Sequence, residues 1–160
     1  MDLFDTAILM FWKALQNNSV KYIMIGGYAI NLHGFARYTG DIDIWIEDTP
    51  LNRKNLRKAF KDCGIGDFEM LDTIQFVPGW TDFYLTNGLR LDILVDMKGI
   101  EGSSFTQCLE MASIAEIDDV KIPFLHLNQL IANKKAINRP KDQIDVIELE
   151  KIKKIREKKL

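Results

Sequence analysis

The sequence predicts a mixed α/β domain of the α+β kind that ends in a helical cap. Its 160 residues are the size of one domain. The spacing of apolar residues alternates between helical and strand-like periods along the chain, and the last third is purely helical in pattern. No repeat or linker interrupts it, so we expect a single domain over residues 1–160, with a core at about 20–125 and a helical part at about 126–160.

The first third of the chain alternates helix and strand. Four apolar residues at helical spacing predict a buried amphipathic helix at the N-terminus: Leu3, Ala7, Phe11 and Leu15. The apolar run 22–25, closed by two glycines, predicts a buried strand, and 28–33 a short helix. Residues 41–46 alternate acids with Ile or Trp, which is typical of a strand with two different faces. Thr49-Pro50 then predicts the start of a helix that ends near Cys63.

The middle of the chain predicts an antiparallel meander. The three candidate strands are Thr73–Val77, Asp82–Thr86 and Leu89–Val95. Pro78-Gly79 separates the first two, and Asn87-Gly88, a strong hairpin signal, separates the last two.

The remaining segments complete the helical cap. Ser104–Met111 predicts a helix and Val120–Phe124 a short strand. Two helices follow, Leu127–Ile137 and Lys141–Lys158, with a break at Pro140 because proline restricts the residue before it.

Composition and charge narrow the class of protein. Twenty-one Lys and Arg against 23 Asp and Glu give a net charge of −2, which argues against a general nucleic-acid binder. Cys63 and Cys108 match no metal or redox spacing and are expected to be small buried residues in a reducing compartment. The apolar run 7–12 is too short to cross a bilayer and lacks a cleavage site, so we expect a soluble, cytoplasmic protein with no membrane partner.

The most informative motif is a pair of acids on one strand. Asp41 and Asp43 are two residues apart, so their side chains share a face, while Ile42 and Ile44 pack behind them. Two carboxylates roughly 7 Å apart along a strand suit a hard divalent cation. The alternative is a solvated turn, which the buried back face of isoleucines disfavours.

A third acid lies on a later strand. Leu89, Leu91, Ile93 and Val95 share one face, so Asp92 lies on the other face, with Arg90 and Leu94. A carboxylate among apolar residues needs a metal or a partner. A salt bridge to a residue such as Arg37 is the structural alternative.

The double glycine suits a phosphate. Gly26 and Gly27 lack a Cβ and stand at a strand-to-helix junction, where helix N-termini attract anions. Arg37 and Thr39 add a guanidinium and a hydroxyl suited to a phosphate chain. Together with the acids, these residues describe a site for a metal-chelated triphosphate.

These residues resemble the nucleotidyltransferase superfamily. The resemblance rests on Ile25-Gly26-Gly27, a gap of thirteen residues, Asp41-Ile42-Asp43-Ile44, and Asp92. The longer string, with Tyr28-Ala29, His33-Gly34 and Arg37-Tyr38-Thr39-Gly40, is most similar to the minimal nucleotidyltransferases and AbiEii-like toxins. The segment Lys134, Arg139-Pro140-Lys141-Asp142 and Asp145 is similar to an element of the same branch, so the resemblance covers about residues 20–146.

The resemblance implies a small mixed sheet flanked by helices and the transfer of a nucleoside monophosphate from an NTP. Asp41 and Asp43 would hold Mg²⁺, in a two-ion arrangement, and Asp92 would complete the site and help to activate the acceptor hydroxyl. Gly26 and Gly27 would hold the β- and γ-phosphates. Many relatives have Ser where this chain has Gly27, which removes one hydroxyl donor.

The C-terminal element has two interpretations. Lys134, Arg139 and Lys141 either converge at the Pro140 bend and face the triphosphate, or form a solvated basic bend. In the first case, Asp142 and Asp145 are a helix-start acid and a partner for one of these cations. We predict the first.

Several questions stay open at this level. The acceptor is a partner protein, a tRNA or a small hydroxylated molecule, within or outside a toxin–antitoxin system. The alternative is a non-catalytic nucleotide- or partner-binding module of a toxin–antitoxin pair. A helical protein is a further candidate partner. The six Lys and Arg of residues 151–159 form a solvated helix end or an RNA contact. Four aromatics flank the Pro78-Gly79 turn and are either core or a base-stacking surface: Phe76, Trp80, Phe83 and Tyr84. His33 and His126 are expected to be packed or surface residues.

Overall fold

The computed structural model describes residues 5–159, which form one mixed sheet with helices around it. The helices are α1 (Thr6–Asn17), α2 (Gly26–His33), α3 (Pro50–Asp62), α4 (Phe105–Met111), α5 (Leu127–Ile137) and α6 (Pro140–Lys158). The strands are β1 (Tyr22–Ile25), β2 (Asp41–Ile46), β3 (Asp82–Tyr84), β4 (Arg90–Leu94), β5 (Ser113–Ile117) and β6 (Val120–Phe124). The predicted mixed α/β class with a helical C-terminal part is confirmed. Leu3 of the first predicted helix lies outside the described residues.

The order of strands across the sheet is β3-β4-β2-β1-β6-β5. β1 and β2 are antiparallel, whereas β2 pairs in parallel with β4 and β1 in parallel with β6. The two central strands, β1 and β2, therefore have a partner on each side. Their buried residues form the middle of the core, where Ile23, Met24, Ile42 and Ile44 have no exposed surface.

The predicted strand Thr73–Val77 is wrong. A short 3-10 helix (Glu69–Asp72) leads into an irregular segment there. Nη1 of Arg53 donates to the carbonyl oxygens of Leu71, at 3.1 Å, and of Ile74, at 2.7 Å. The guanidinium also lies over the ring of Phe76, 4.6 Å from its centroid. Leu71 belongs to the 3-10 helix, so within 73–77 Arg53 satisfies one carbonyl, that of Ile74. The expected three-stranded meander is the β3–β4 hairpin alone.

The sequence reading also missed a strand, β5. β5 pairs with β6 through a two-residue turn at Asp118 and Asp119, which have φ values of 47° and 66°. Two consecutive positive φ values mark the tight turn whose twist suits a hairpin. Acidic residues tolerate this conformation better than most others.

Other local predictions are confirmed. Thr49 caps α3, since its hydroxyl accepts from the Asn52 backbone N–H at 3.1 Å, and Pro50 occupies the first turn. Cys63 and Cys108 are buried free thiols. Among the helices of residues 5–159, none combines the length and the apolarity that a bilayer crossing requires.

Candidate active site

All nine residues predicted for the site line one cleft of about 500 Å³. They are Gly26, Gly27, Arg37, Thr39, Asp41, Asp43, Asp92, Lys134 and Lys141. The cleft opens where β1 ends and β2 begins, and α5 and α6 form its opposite wall. Residues more than 100 positions apart in the chain therefore meet around one space.

The alternation of β2 directs two carboxylates into this cleft. Asp41 and Asp43 are partly exposed, whereas Ile42 and Ile44 are fully buried on the other face. Within residues 5–159, no side chain forms an ion pair or hydrogen bond with either carboxylate. The solvated-turn alternative is excluded, because both acids lie within a strand paired on both sides.

Asp92 stands directly opposite Asp43 on the neighbouring parallel strand, since the two are register partners. Its side chain is held from two directions. The Gly79 backbone N–H donates to Oδ1 at 3.3 Å, and Nη2 of Arg90 lies 3.6 Å from Oδ2. Arg37, the salt-bridge partner considered from sequence, does not contact it. The sequence reading missed the role of Gly79, although the Pro78-Gly79 turn was visible.

Burial and the proximity of the other two acids raise the pKa of Asp43. Burial raises the pKa of Asp43, and the charges of Asp92 and Asp41 raise it further, to about 6. Lys134 and Lys141 act in the opposite direction and do not compensate. At Asp43, burial and the two neighbouring carboxylates together outweigh the nearby cations.

The two glycines allow side chains of the cleft to pack against the backbone. Gly26 has φ +71°, and a Cβ there would collide with Oδ2 of Asp43. A Cβ on Gly27 would collide with the hydroxyl of Thr39. The N-cap residue of α2, Ile25, provides no side-chain hydrogen bond, so the first-turn N–H groups stay available for an anion.

Arg37 is fixed by a carboxylate from the last helix. Its Nε lies 2.8 Å from Oδ1 of Asp145, and its Nη2 donates to Oδ2 at 3.0 Å. Nη1 donates to the Tyr38 carbonyl at 3.0 Å and would lie 3.5 Å from a Cβ on Gly27. The two-point contact with Asp145 orients the guanidinium so that Nη1 faces the glycine turn.

The basic residues of the C-terminal element converge on two buried acids. Nζ of Lys134 lies 3.2 Å from Asp142 and 3.6 Å from Asp145, and Lys134 is only 5% exposed. Nε of Arg139 lies 2.6 Å from Asp142. Burial alone would raise the pKa of Asp142, but the bonds from Arg139 and Lys134 outweigh burial and lower it to about 2. Lys134 is therefore buried and not part of a solvated basic bend. Lys141, in contrast, is exposed and lines the cleft.

The donor chemistry of the cleft fits a divalent cation. Asp41 and Asp43 offer oxygen ligands that receive no hydrogen bond within residues 5–159, and their repulsion contributes to the raised pKa of Asp43. No three His, Cys, Asp or Glu side chains of that part stand close enough together to hold an ion by themselves. Mg²⁺ commonly takes one or two carboxylates and completes its shell with substrate phosphates and water. The metal role of the three acids stays a prediction.

The other candidates from the sequence divide into packed and exposed residues. Phe76 and Phe83 are buried, whereas Trp80 is 84% exposed and Tyr84 56%. Nε2 of the buried His33 contacts the Leu125 carbonyl at 2.7 Å. The ring of His126 caps α5 by accepting from the Asn128 N–H.

Comparison with known proteins identifies the family. Residues 5–160, nearly the whole chain, match the family described as "Nucleotidyl transferase of unknown function (DUF2204)". The chain belongs to this nucleotidyltransferase family. The nucleotidyltransferase resemblance is thereby confirmed, whereas the AbiEii-like branch stays a prediction. No curated protein matches the chain by sequence.

Solved structures share the fold of this nucleotidyltransferase. The lincosamide antibiotic adenylyltransferase LnuA, solved with lincomycin, has a TM-score of 0.60 at 16% identity, covering 95% of this chain and 99% of its own. ANT(2")-Ia, solved with adenylyl-2"-tobramycin, has a TM-score of 0.53 at 16% identity, covering 94% and 93%. TM1012 of Thermotoga maritima, assigned as a nucleotidyltransferase, has a TM-score of 0.55 at 17% identity, covering 94% and 88%.

Proposed function

We propose that this nucleotidyltransferase transfers a nucleoside monophosphate from an NTP, with Mg²⁺, to a hydroxyl group of a small molecule. The observation that carries the proposal is the arrangement of the acids. Asp41 and Asp43 share one strand face, Asp92 is the register partner of Asp43, and phosphate-binding groups line the same cleft.

Each group of residues in the cleft has a separate role in the proposed transfer. The acceptor oxygen attacks the α-phosphorus and forms a new P–O bond, while the bond to the β-phosphate oxygen breaks and pyrophosphate leaves. Asp92 accepts the proton of the attacking hydroxyl. The N–H groups of Gly26 and Gly27 and the Nη1 group of Arg37 bind the leaving phosphates. A cation bound by Asp41 and Asp43 would supply charge neutralisation at the reacting phosphate.

The small-molecule acceptor is supported by the fold relatives. LnuA is described as a lincosamide antibiotic adenylyltransferase, and ANT(2")-Ia was solved with adenylyl-2"-tobramycin. Both cover more than nine-tenths of this chain, so no large additional part separates them from it.

The test is a transfer assay with a matched pair of variants. Each α-³²P-labelled NTP is incubated with Mg²⁺, the protein and lincomycin, tobramycin or bulk tRNA. We expect a labelled small-molecule product from the wild type and from Asp119→Asn, which removes an exposed acid in the β5–β6 turn that does not line the cleft. Asp41→Asn should give none. Equal label transfer by Asp41→Asn would refute the proposal, and label on tRNA alone would refute the acceptor class.

A second candidate concerns a helical protein partner, as in a toxin–antitoxin pair. Three isoleucines of α6 are more than half exposed: Ile144, Ile147 and Ile155. Such a row of apolar side chains suits the apolar face of another helix. The test is co-purification of the products of adjacent genes, compared with an Ile144→Ser, Ile147→Ser variant. A partner that binds both proteins equally would exclude this surface.

A further inference from the structure

A second cavity, of about 590 Å³, adjoins the cleft. We call it the apolar pocket. The apolar pocket and the cleft are joined by an intermediate space of about 500 Å³, which is lined by Asp41, Asp43 and Asp92 of the cleft. The intermediate space shares five lining residues with the apolar pocket: Pro78, Leu94, Asp96, Met97 and Lys98. None of the residues predicted for the site lines the apolar pocket. Its size lies within the range of roughly 300–1,000 Å³ that is usual for small-molecule sites.

The floor of the apolar pocket continues the face that carries the acids. In β2, Trp45 follows Asp43 by two residues and shares its side of the sheet. In β4, Leu94 follows Asp92 by two residues in the same way. Trp45 and Leu94 are register partners, as are Asp43 and Asp92. One pleated surface therefore passes from acids to apolar side chains within about 7 Å.

The walls of the apolar pocket are aromatic and fixed. Nε1 of Trp45 donates to the Val95 carbonyl at 3.2 Å, and the ring of Phe105 meets the indole edge-on at 5.1 Å. Phe76 and Ile100, which also line the pocket, are at most 9% exposed. A ligand would meet a preformed apolar surface.

We propose that the apolar pocket binds the body of the acceptor, and that the acceptor is a drug-sized molecule with an apolar ring or chain and a hydroxyl group. This inference rests on the proposed function. In an in-line transfer, the attacking and leaving oxygens lie on opposite sides of the phosphorus. Gly27 and Arg37 line the cleft and not the other two spaces, whereas Asp41, Asp43 and Asp92 also line the intermediate space that leads to the apolar pocket. The leaving pyrophosphate would therefore lie in the cleft, and the acceptor would lie in the apolar pocket.

The charges at the rim disfavour a nucleic-acid acceptor. Asp96, Lys98 and Glu101 are exposed there, which gives one more negative than positive charge. The Glu101 carboxylate accepts from the Gly99 N–H at 2.9 Å, and this backbone bond lowers its pKa. A polynucleotide needs cations along its backbone, whereas a neutral or cationic small molecule is compatible with a rim that carries one net negative charge.

The experiment fills the apolar pocket without touching the cleft. Ser103 lines the pocket, is partly exposed and forms no side-chain hydrogen bond within the described residues, so Ser103→Phe places a ring inside it. Thr106→Phe adds the same ring to the exposed side of α4 and is the matched control. The probe is 2-naphthalenemethanol, a neutral bicyclic alcohol. Its binding is measured by saturation-transfer NMR with α,β-methylene-ATP and Mg²⁺ present, and its adenylylation by ATP is measured by mass spectrometry.

We expect the wild type and Thr106→Phe to bind and adenylylate the probe. Ser103→Phe should lower the affinity for the probe by about tenfold or more, because the new phenyl ring occupies the space that the probe would fill. All three proteins should bind α,β-methylene-ATP equally and melt at the same temperature. Unchanged probe binding in Ser103→Phe would overturn the inference, as would a wild type that binds the probe without adenylylating it. A loss of nucleotide affinity in Ser103→Phe would also overturn it, by assigning the pocket to the nucleobase. Failure of the wild type to bind the nucleotide would instead refute the proposed function.

Discussion

Replacing Asp43 by asparagine should make the metal-free protein more stable at pH 8. The pKa of Asp43 is raised from 3.8 in a free side chain to about 6 in the fold, or about 2 units. Each unit corresponds to about 1.4 kcal/mol, so the folded wild type loses roughly 3 kcal/mol when Asp43 ionises. Below pH 3.8 the Asp43 carboxyl is protonated in both the folded and the unfolded state, so it does not lower the free energy of unfolding. The free energy of unfolding falls as the pH rises from 4 to 6, and the loss is constant above pH 6.

Urea unfolding with EDTA, at pH 4, 6 and 8, measures this effect. The stability gained by Asp43→Asn should grow across these three points to about 2–3 kcal/mol, while Asp119→Asn should follow the wild type. Mg²⁺ at 100 times its dissociation constant should then stabilise the wild type by about 2.7 kcal/mol and the Asp43 variant much less. An Asp43→Asn protein no more stable than the wild type at pH 8 would refute the cost of burying the Asp43 carboxylate beside two other acids.

Three further predictions concern the phosphate side of the cleft. Gly27→Val should abolish binding of α,β-methylene-ATP in calorimetry, because its side chain displaces Thr39 and the turn beside it; unchanged affinity would make the glycine a simple turn residue. Lys134→Ala should lower the free energy of unfolding by about 1.5–3 kcal/mol, since Asp142 and Asp145 lose one of their two cations and keep Arg139 and Arg37, and should weaken nucleotide binding; a fully stable variant would contradict the buried ion pairs. Exchanging Arg37 and Asp145 in one double variant should restore the stability lost in either single variant. It should not restore nucleotide affinity, and recovered affinity would show that the pair has only a structural role.

More of the candidate site than of the sheet could be predicted from the sequence. Asp41, Asp43 and Asp92 follow from two-residue alternation, which depends only on neighbours in the chain. The glycine turn follows in the same way. The ion pair between Arg37 and Asp145 could not be derived, because it depends on how α6 returns to the sheet.

The wrongly predicted strand 73–77 and the missed strand β5 also show that local sequence patterns do not determine which segments pair. The segment 73–77 has the right alternation but pairs with no strand of the described residues, and its Ile74 carbonyl accepts from the side chain of Arg53 instead. β5 was missed because its pattern is weak and its turn consists of two aspartates rather than Asn-Gly. The parallel pairing of β2 with β4 likewise leaves no local trace, since it joins segments separated by a helix and a hairpin.

The contact between Arg37 and Asp145 spans 108 residues of sequence, and that between His33 and Arg156 spans 123. During translation, the strands that carry the acids leave the ribosome well before α6 does. Until Asp145 emerges, nothing orients Arg37 toward the glycine turn, and Lys134 lacks both of its carboxylates. The arrangement proposed to bind the phosphates is therefore complete only after residues 140–145 have been synthesised.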